Sequence, residues 1–94
     1  MTAVWKETSG TLTNNTVAIP ANAARRELIV SNPSDTVMTL SIGGTASATV
    51  GITIAAGDNI RLGQTVGPKG NTVPSQALSL FCAGTAKAYT IYEC

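Results

Sequence analysis

The residues with which this chain could do chemistry are few: two cysteines, five carboxylates, six lysines and arginines, and no histidine in 94 residues. General acid–base catalysis near neutral pH draws on histidine, or on paired carboxylates whose surroundings push their pKa values apart. Here Glu7, Glu27, Asp35, Asp58 and Glu93 stand singly along the chain. Asp35 and Asp58 end the segments Asn-Pro-Ser-Asp and Ala-Gly-Asp, where an aspartate commonly braces a turn. A nucleophilic Cys82 or serine would need a base beside it, and the sequence offers none. Cys82 and Cys94 lack the CxxC or CxxH spacing of a zinc site or a disulfide framework. The glycine-rich segments Gly43-Gly44-Thr45 and Gly67-Pro68-Lys69-Gly70 are not followed by an amphipathic helix, so the phosphate-cradle geometry is missing. The expectation is a chain that is not an enzyme and has no catalytic, cofactor-binding or metal-binding residues.

Charge points the same way. Lysine and arginine exceed aspartate and glutamate by one, and charged residues make up only 12% of the chain. A nucleic-acid binder normally shows a basic stripe that releases counterions from phosphates. The one basic pair, Arg25-Arg26, is followed at once by Glu27. No apolar run approaches the ~18 residues of a membrane helix, and residues 1–10 show no basic segment leading into an apolar one. Neither nucleic acid nor membrane is expected as a partner. So weakly charged a surface gives little protection against association, which suits a protein covered by partners.

The elements that must position these residues read as strands. Threonine, serine, glycine and the aliphatic residues dominate, and the aromatics are Trp5, Phe81, Tyr89 and Tyr92. That mixture favours pleated strands and turns over long helices. Short strands are predicted at Val4–Thr8, Leu12–Ile19 (interrupted at Asn14-Asn15), Arg26–Ser31, Val37–Ile42, Val50–Ile54, Ile60–Leu62, Ala77–Cys82 and Lys87–Glu93. Ser9-Gly10 is read as a break, leaving residues 1–12 as an N-terminal arm. Pro20–Ala24 fits either a loop or one helical turn. Asn32-Pro33-Ser34-Asp35 has the form of a type I turn, which predicts a hairpin between its flanking strands. A second hairpin is predicted about Gly84, with Leu80 opposite Tyr89, Leu78 opposite Ile91 and Cys82 opposite Lys87. Residues 63–75 form a long connection without alternation, the kind that is usually functional.

One all-β domain over residues 1–94 follows: a small β-sandwich or a jelly-roll/Greek-key barrel of about seven to eight strands. Its predicted core is Leu28, Val30, Met38, Leu40, Ile42, Ile52, Ile54, Leu78, Leu80 and Ile91, the apolar phase of each alternation. In the predicted last hairpin Cys94 lies roughly 23 Å along the strand from the partner of Cys82. That is too far for a bridge, which needs Cα atoms within about 7 Å. Cys82 then reads as a buried thiol, and Cys94 as either a loose terminal thiol or half of an intersubunit disulfide.

From Pro20 onward the chain resembles a known class. The run Pro20-Ala21-Asn22-Ala23-Ala24-Arg25-Arg26-Glu27-Leu28-Ile29-Val30-Ser31-Asn32-Pro33-Ser34-Asp35, the strand ending in Gly43-Gly44-Thr45-Ala46, and the later Ile54-Ala55-Ala56-Gly57 resemble small virion-associated β proteins of tailed bacteriophages. The resemblance covers about three quarters of the chain. It implies a capsid decoration (cement) protein that sits on the assembled head as a homo-oligomer, a trimer being typical. Its partner would be the major capsid protein or another virion protein, and its location the virion, after synthesis in the host cytoplasm. The alternative within the same class is a tail, fibre or spike component that contacts a host receptor or glycan. The candidate contact residues are Trp5 on the arm and Val66, Pro68, Lys69 and Val73 on the long connection.

Overall fold

The computed structural model describes residues 4–63 and 73–94. These form eight strands: β1 (Lys6–Leu12), β2 (Asn15–Ile19), β3 (Leu28–Ser31), β4 (Met38–Ile42), β5 (Ile52–Ile54), β6 (Asn59–Leu62), β7 (Leu78–Cys82) and β8 (Lys87–Glu93). No helix occurs among the described residues. The strands make two antiparallel sheets, ordered β1-β8-β3-β6 and β2-β7-β4-β5.

The order has a simple origin. β1 pairs with β8, β2 with β7, β3 with β6 and β4 with β5. The chain is therefore one long antiparallel hairpin, with its tip at β4–β5, folded over on itself. Folding brings β8 beside β3 and β7 beside β4, which closes each sheet. This is the jelly-roll path, one of the ways an antiparallel protein buries two apolar sheet faces against each other.

The inward phase of each strand supplies the core: Leu12, Ile19, Leu28, Val30, Met38, Leu40, Ile54, Leu78, Leu80, Cys82, Tyr89 and Ile91. Ile42 is half-buried and packs against this cluster. Ile52 was expected inside but is 44% exposed. It lies opposite Leu40 on β5, a three-residue strand at the open edge of its sheet, so no further strand covers its flank. Tyr89 finds room because Gly10 lies opposite it; a Cβ at Gly10 would stand 3.1 Å from the phenol oxygen.

Folding the hairpin requires the paired ladder to pass from one sheet to the other at three bends, where backbone groups leave their ladder partners. At the first bend Gly84 N–H donates to Asn14 Oδ1 (2.9 Å) and Ala86 N–H to Thr13 Oγ1 (2.8 Å). At the second, the buried Arg25 guanidinium donates to the carbonyls of Pro20, Pro74 and Gln76. At the third, the fully buried Asn32 donates through Nδ2 to the carbonyls of Thr36, Ile54 and Ala55. Each bend is held by a polar side chain from the first half of the hairpin reaching backbone of the second. Buried and part-buried carbonyls at the second and third bends gain donors in this way, and two N–H groups at the first gain acceptors.

Both predicted hairpins are corrected by this topology. β3 and β4 belong to different sheets, and Asn32-Pro33-Ser34-Asp35 is the third bend rather than a hairpin turn. β7 and β8 also separate: Leu80 lies opposite Val17 and Leu40, and Tyr89 opposite Gly10. Ser9-Gly10 is not a break, since β1 runs through both and pairs with β8 from Lys6 to Leu12. Residues 6–12 are thus an edge strand of the body and not part of a free arm. Pro20–Ala24 holds a turn closed by Arg25 N–H to Asn22 O, not a helix.

Replacing Leu40, fully buried, by alanine should lower the unfolding free energy by about 2–5 kcal/mol. Ile52→Ala should cost well under half as much, because its side chain already meets solvent. Urea denaturation of the two variants checks the contrast; equal losses would contradict the edge position of Ile52.

Candidate interaction surface

The residues that could do chemistry are used in holding the fold. Arg25 Nε donates to Glu93 Oε2 at 2.6 Å, with the two side chains 0% and 6% exposed. Glu93 shares the inward phase of β8 with Tyr89 and Ile91, so it enters the interior at the end of the sheet and meets the guanidinium there. Asp35 accepts from Lys87 Nζ at 2.7 Å, and this hydrogen bond holds its carboxyl below the ordinary aspartate value. Cys82 lies in the core, and burial pushes its thiol pKa up, away from the reactive thiolate. No three metal-capable side chains come together among the described residues, and these residues enclose no pocket.

The two outer sheet faces differ. On the β2-β7-β4-β5 sheet, Thr39 and Ser79 point outward yet are only 6% exposed. The connection from Gly43 to Gly51 lies over them: Ala46 N–H donates to Ser79 Oγ, and Ala46 is 3% exposed. Gly51 seals this lid, with φ +128° and its Cα so close that a Cβ would fall 2.6 Å from the Leu40 carbonyl oxygen. Phe81 sits half-buried on this face between Thr16 and Thr39.

The outer face of the β1-β8-β3-β6 sheet has no such lid among the described residues. Register places Glu7, Tyr92, Ile29 and Arg61 in one row across the four strands, and Ser9, Thr90, Ser31 and Asn59 in another. Tyr92 and Ile29 are half-buried in the middle of the sheet, while Glu7 and Arg61 stand exposed on its two edges. Arg61 also pairs with Glu27 on the neighbouring strand end.

The contact residues expected from the sequence fall out as follows. Trp5 is 42% exposed and Val4 85%, both just outside β1, and neither belongs to the core. Val73 is half-buried and packs against the core, which removes it from the exposed set. Val66, Pro68 and Lys69 lie outside the described residues. Cys94 is half-buried and its backbone is fixed: its N–H donates to Glu27 O, and its carbonyl accepts from the N–H groups of Arg26 and Glu27. It is not a loose terminal thiol, although both cysteines are free. Tyr92 faces outward, opposite in phase to Tyr89 and Ile91. Arg25 and Asn32 were not expected as buried hubs. The phase of Glu93 was the available signal, since an acid on the inward side of an alternating strand needs a buried partner.

No family model, curated protein or solved structure matches this chain.

Removing one partner of the buried pair strands the other charge. Arg25→Met and Glu93→Gln should each destabilise, Arg25→Met by about 3–5 kcal/mol. Combining Arg25→Met with Glu93→Leu should cost less than the sum of the single losses; strict additivity in chemical denaturation would show that the pair is not coupled. For the thiols, Cys82 should resist a thiol reagent in the native state and react on unfolding, so that Cys94→Ser leaves no label on the folded protein. Native labelling of that variant would contradict the burial of Cys82.

Proposed function

We propose that this chain is a capsid decoration protein of a tailed bacteriophage, attaching to the outer surface of the assembled head and stabilising it. The resemblance of residues 20–35 and the segments after them supports the class. The observation that carries attachment is at the N-terminal edge. Val4 and Trp5, two large apolar side chains outside the core, precede an edge strand whose far side pairs with no strand among the described residues. Unpaired edge backbone and exposed apolar side chains are what β-addition to another protein uses. The only tryptophan of the chain stands there, and a tryptophan that becomes buried at an interface contributes about 2 kcal/mol or more.

The test is to mix the purified chain with undecorated heads of the parent phage and measure occupancy by sedimentation and electron microscopy. The intact chain should saturate the heads and raise their melting temperature. Trp5→Ala should bind about thirtyfold more weakly while its own unfolding midpoint stays unchanged, because Trp5 lies outside the core. Failure of the intact chain to bind heads would overturn the proposal. Binding undiminished in Trp5→Ala would move the contact elsewhere, and replacing residues 64–72 by a short glycine-serine turn then tests the long connection.

A further inference from the structure

We infer that the open face of the β1-β8-β3-β6 sheet is a self-association surface, on which a second copy of this chain packs about a two-fold axis with Glu7 of one copy over Arg61 of the other. The row Glu7–Tyr92–Ile29–Arg61 runs across the four strands in order. A two-fold axis lying in the interface along the strands, between β8 and β3, reverses this row in the second copy. The reversed row sets Tyr92 against Ile29 twice and Glu7 against Arg61 twice. In the next row it sets Ser9 against Asn59 and Thr90 against Ser31. The charges are opposite and on opposite edges, and the apolar residues are central, as an isologous interface requires. Such sheets stack ~10 Å apart and within about 30° of alignment. Long side chains at the edges, Glu7 and Arg61, tolerate the displacement that this rotation produces.

The contrast with the other outer face supports the choice. That face is covered by the chain's own residues 43–51, with Thr39 and Ser79 sealed beneath. On the open face Tyr92 and Ile29 remain partly exposed, and Trp5 stands at its corner, two residues from Glu7. Size sets the strength. Four strands at ~4.8 Å spacing and about six residues at ~3.3 Å give a face of roughly 400 Å² in projection. Two such faces total roughly 800 Å², below the ~1,200 Å² at which stable interfaces begin, so association should be weak, concentration-dependent and reinforced where copies are held side by side.

The experiment uses the purified chain alone, so its outcome is independent of head attachment. Sedimentation equilibrium from micromolar to millimolar concentration should show a monomer–dimer equilibrium. Glu7→Arg and Arg61→Glu should each weaken it at least about tenfold, because each places like charges together twice. An equimolar mixture of the two variants should restore association, since in the mixed dimer both edge pairs become opposite again. Tyr92→Ser, which leaves the charges alone, should also weaken the dimer. Circular dichroism of each variant confirms that it is folded. A monomer at every concentration, a trimer, single reversals without effect, or a mixture no stronger than its components would each overturn the inference.

Discussion

The fold depends on the buried guanidinium of Arg25. A hairpin folded three times must carry its backbone around corners where ladder partners are lost, and the second corner is the widest. Arg25 bridges it with its side chain, donating to Pro20 on one branch and to Pro74 and Gln76 on the other, while Asn22 N–H donates to Ser75 O beside it. It also binds Glu93 at the end of β8, which ties the corner to the opposite sheet. A lysine could supply the charge but not this planar fork of donors, which reaches several carbonyls and a carboxylate at once. Desolvating a cation here is costly by itself; Glu93 and the ring of carbonyls offset that cost by satisfying its hydrogen bonds.

The third corner applies the same solution without charge. Asn32 supplies a donor to three carbonyls, and its Oδ1 accepts from Ser34 Oγ and Ser34 N–H. Its own N–H and C=O engage Asp58 and Gly57 across the bend. The first corner needs least, because Thr13 and Asn14 lie close to the Ala83–Ala86 turn and cap two of its N–H groups. Polar side chains at every bend help so small a core hold eight short strands in a single arrangement. Among the described residues, no buried side-chain polar atom is left without a partner.

Strand positions were legible in the sequence because alternation with period two shows through even in short segments. Leu28 with Val30, Met38 with Leu40, and Leu78 with Leu80 all point inward as their phase demands. Pairing was not legible. A turn such as Asn32–Asp35 reads the same whether the next strand returns in the same sheet or crosses to the other, because both need a reversal and the same residue types. What decides is the interior acceptor set waiting at Ile54 and Ala55, which is far away in sequence. The buried role of Arg25 was not legible for the same reason: most of its acceptors are carbonyls, which carry no sequence signature. The outward place of Tyr92 was legible, since its phase is opposite to that of Tyr89 and Ile91.

This distribution of roles bears on function. The run from Pro20 to Asp35 builds two bends and the strand between them. Pro20, Asn22 and Arg25 secure the second bend, Leu28 and Val30 fill the core, and Asn32 and Ser34 secure the third. Those residues are buried or bonded within the chain and serve the fold. Among the described residues, surfaces that could face a partner include the β1 edge with Val4 and Trp5 and the outer face of its sheet with Tyr92 and Ile29. The edge can extend a sheet by backbone pairing while the face stacks on another sheet, and the two directions are perpendicular. A domain with both surfaces can therefore join a larger assembly along one direction and meet its own copies along the other without the contacts competing.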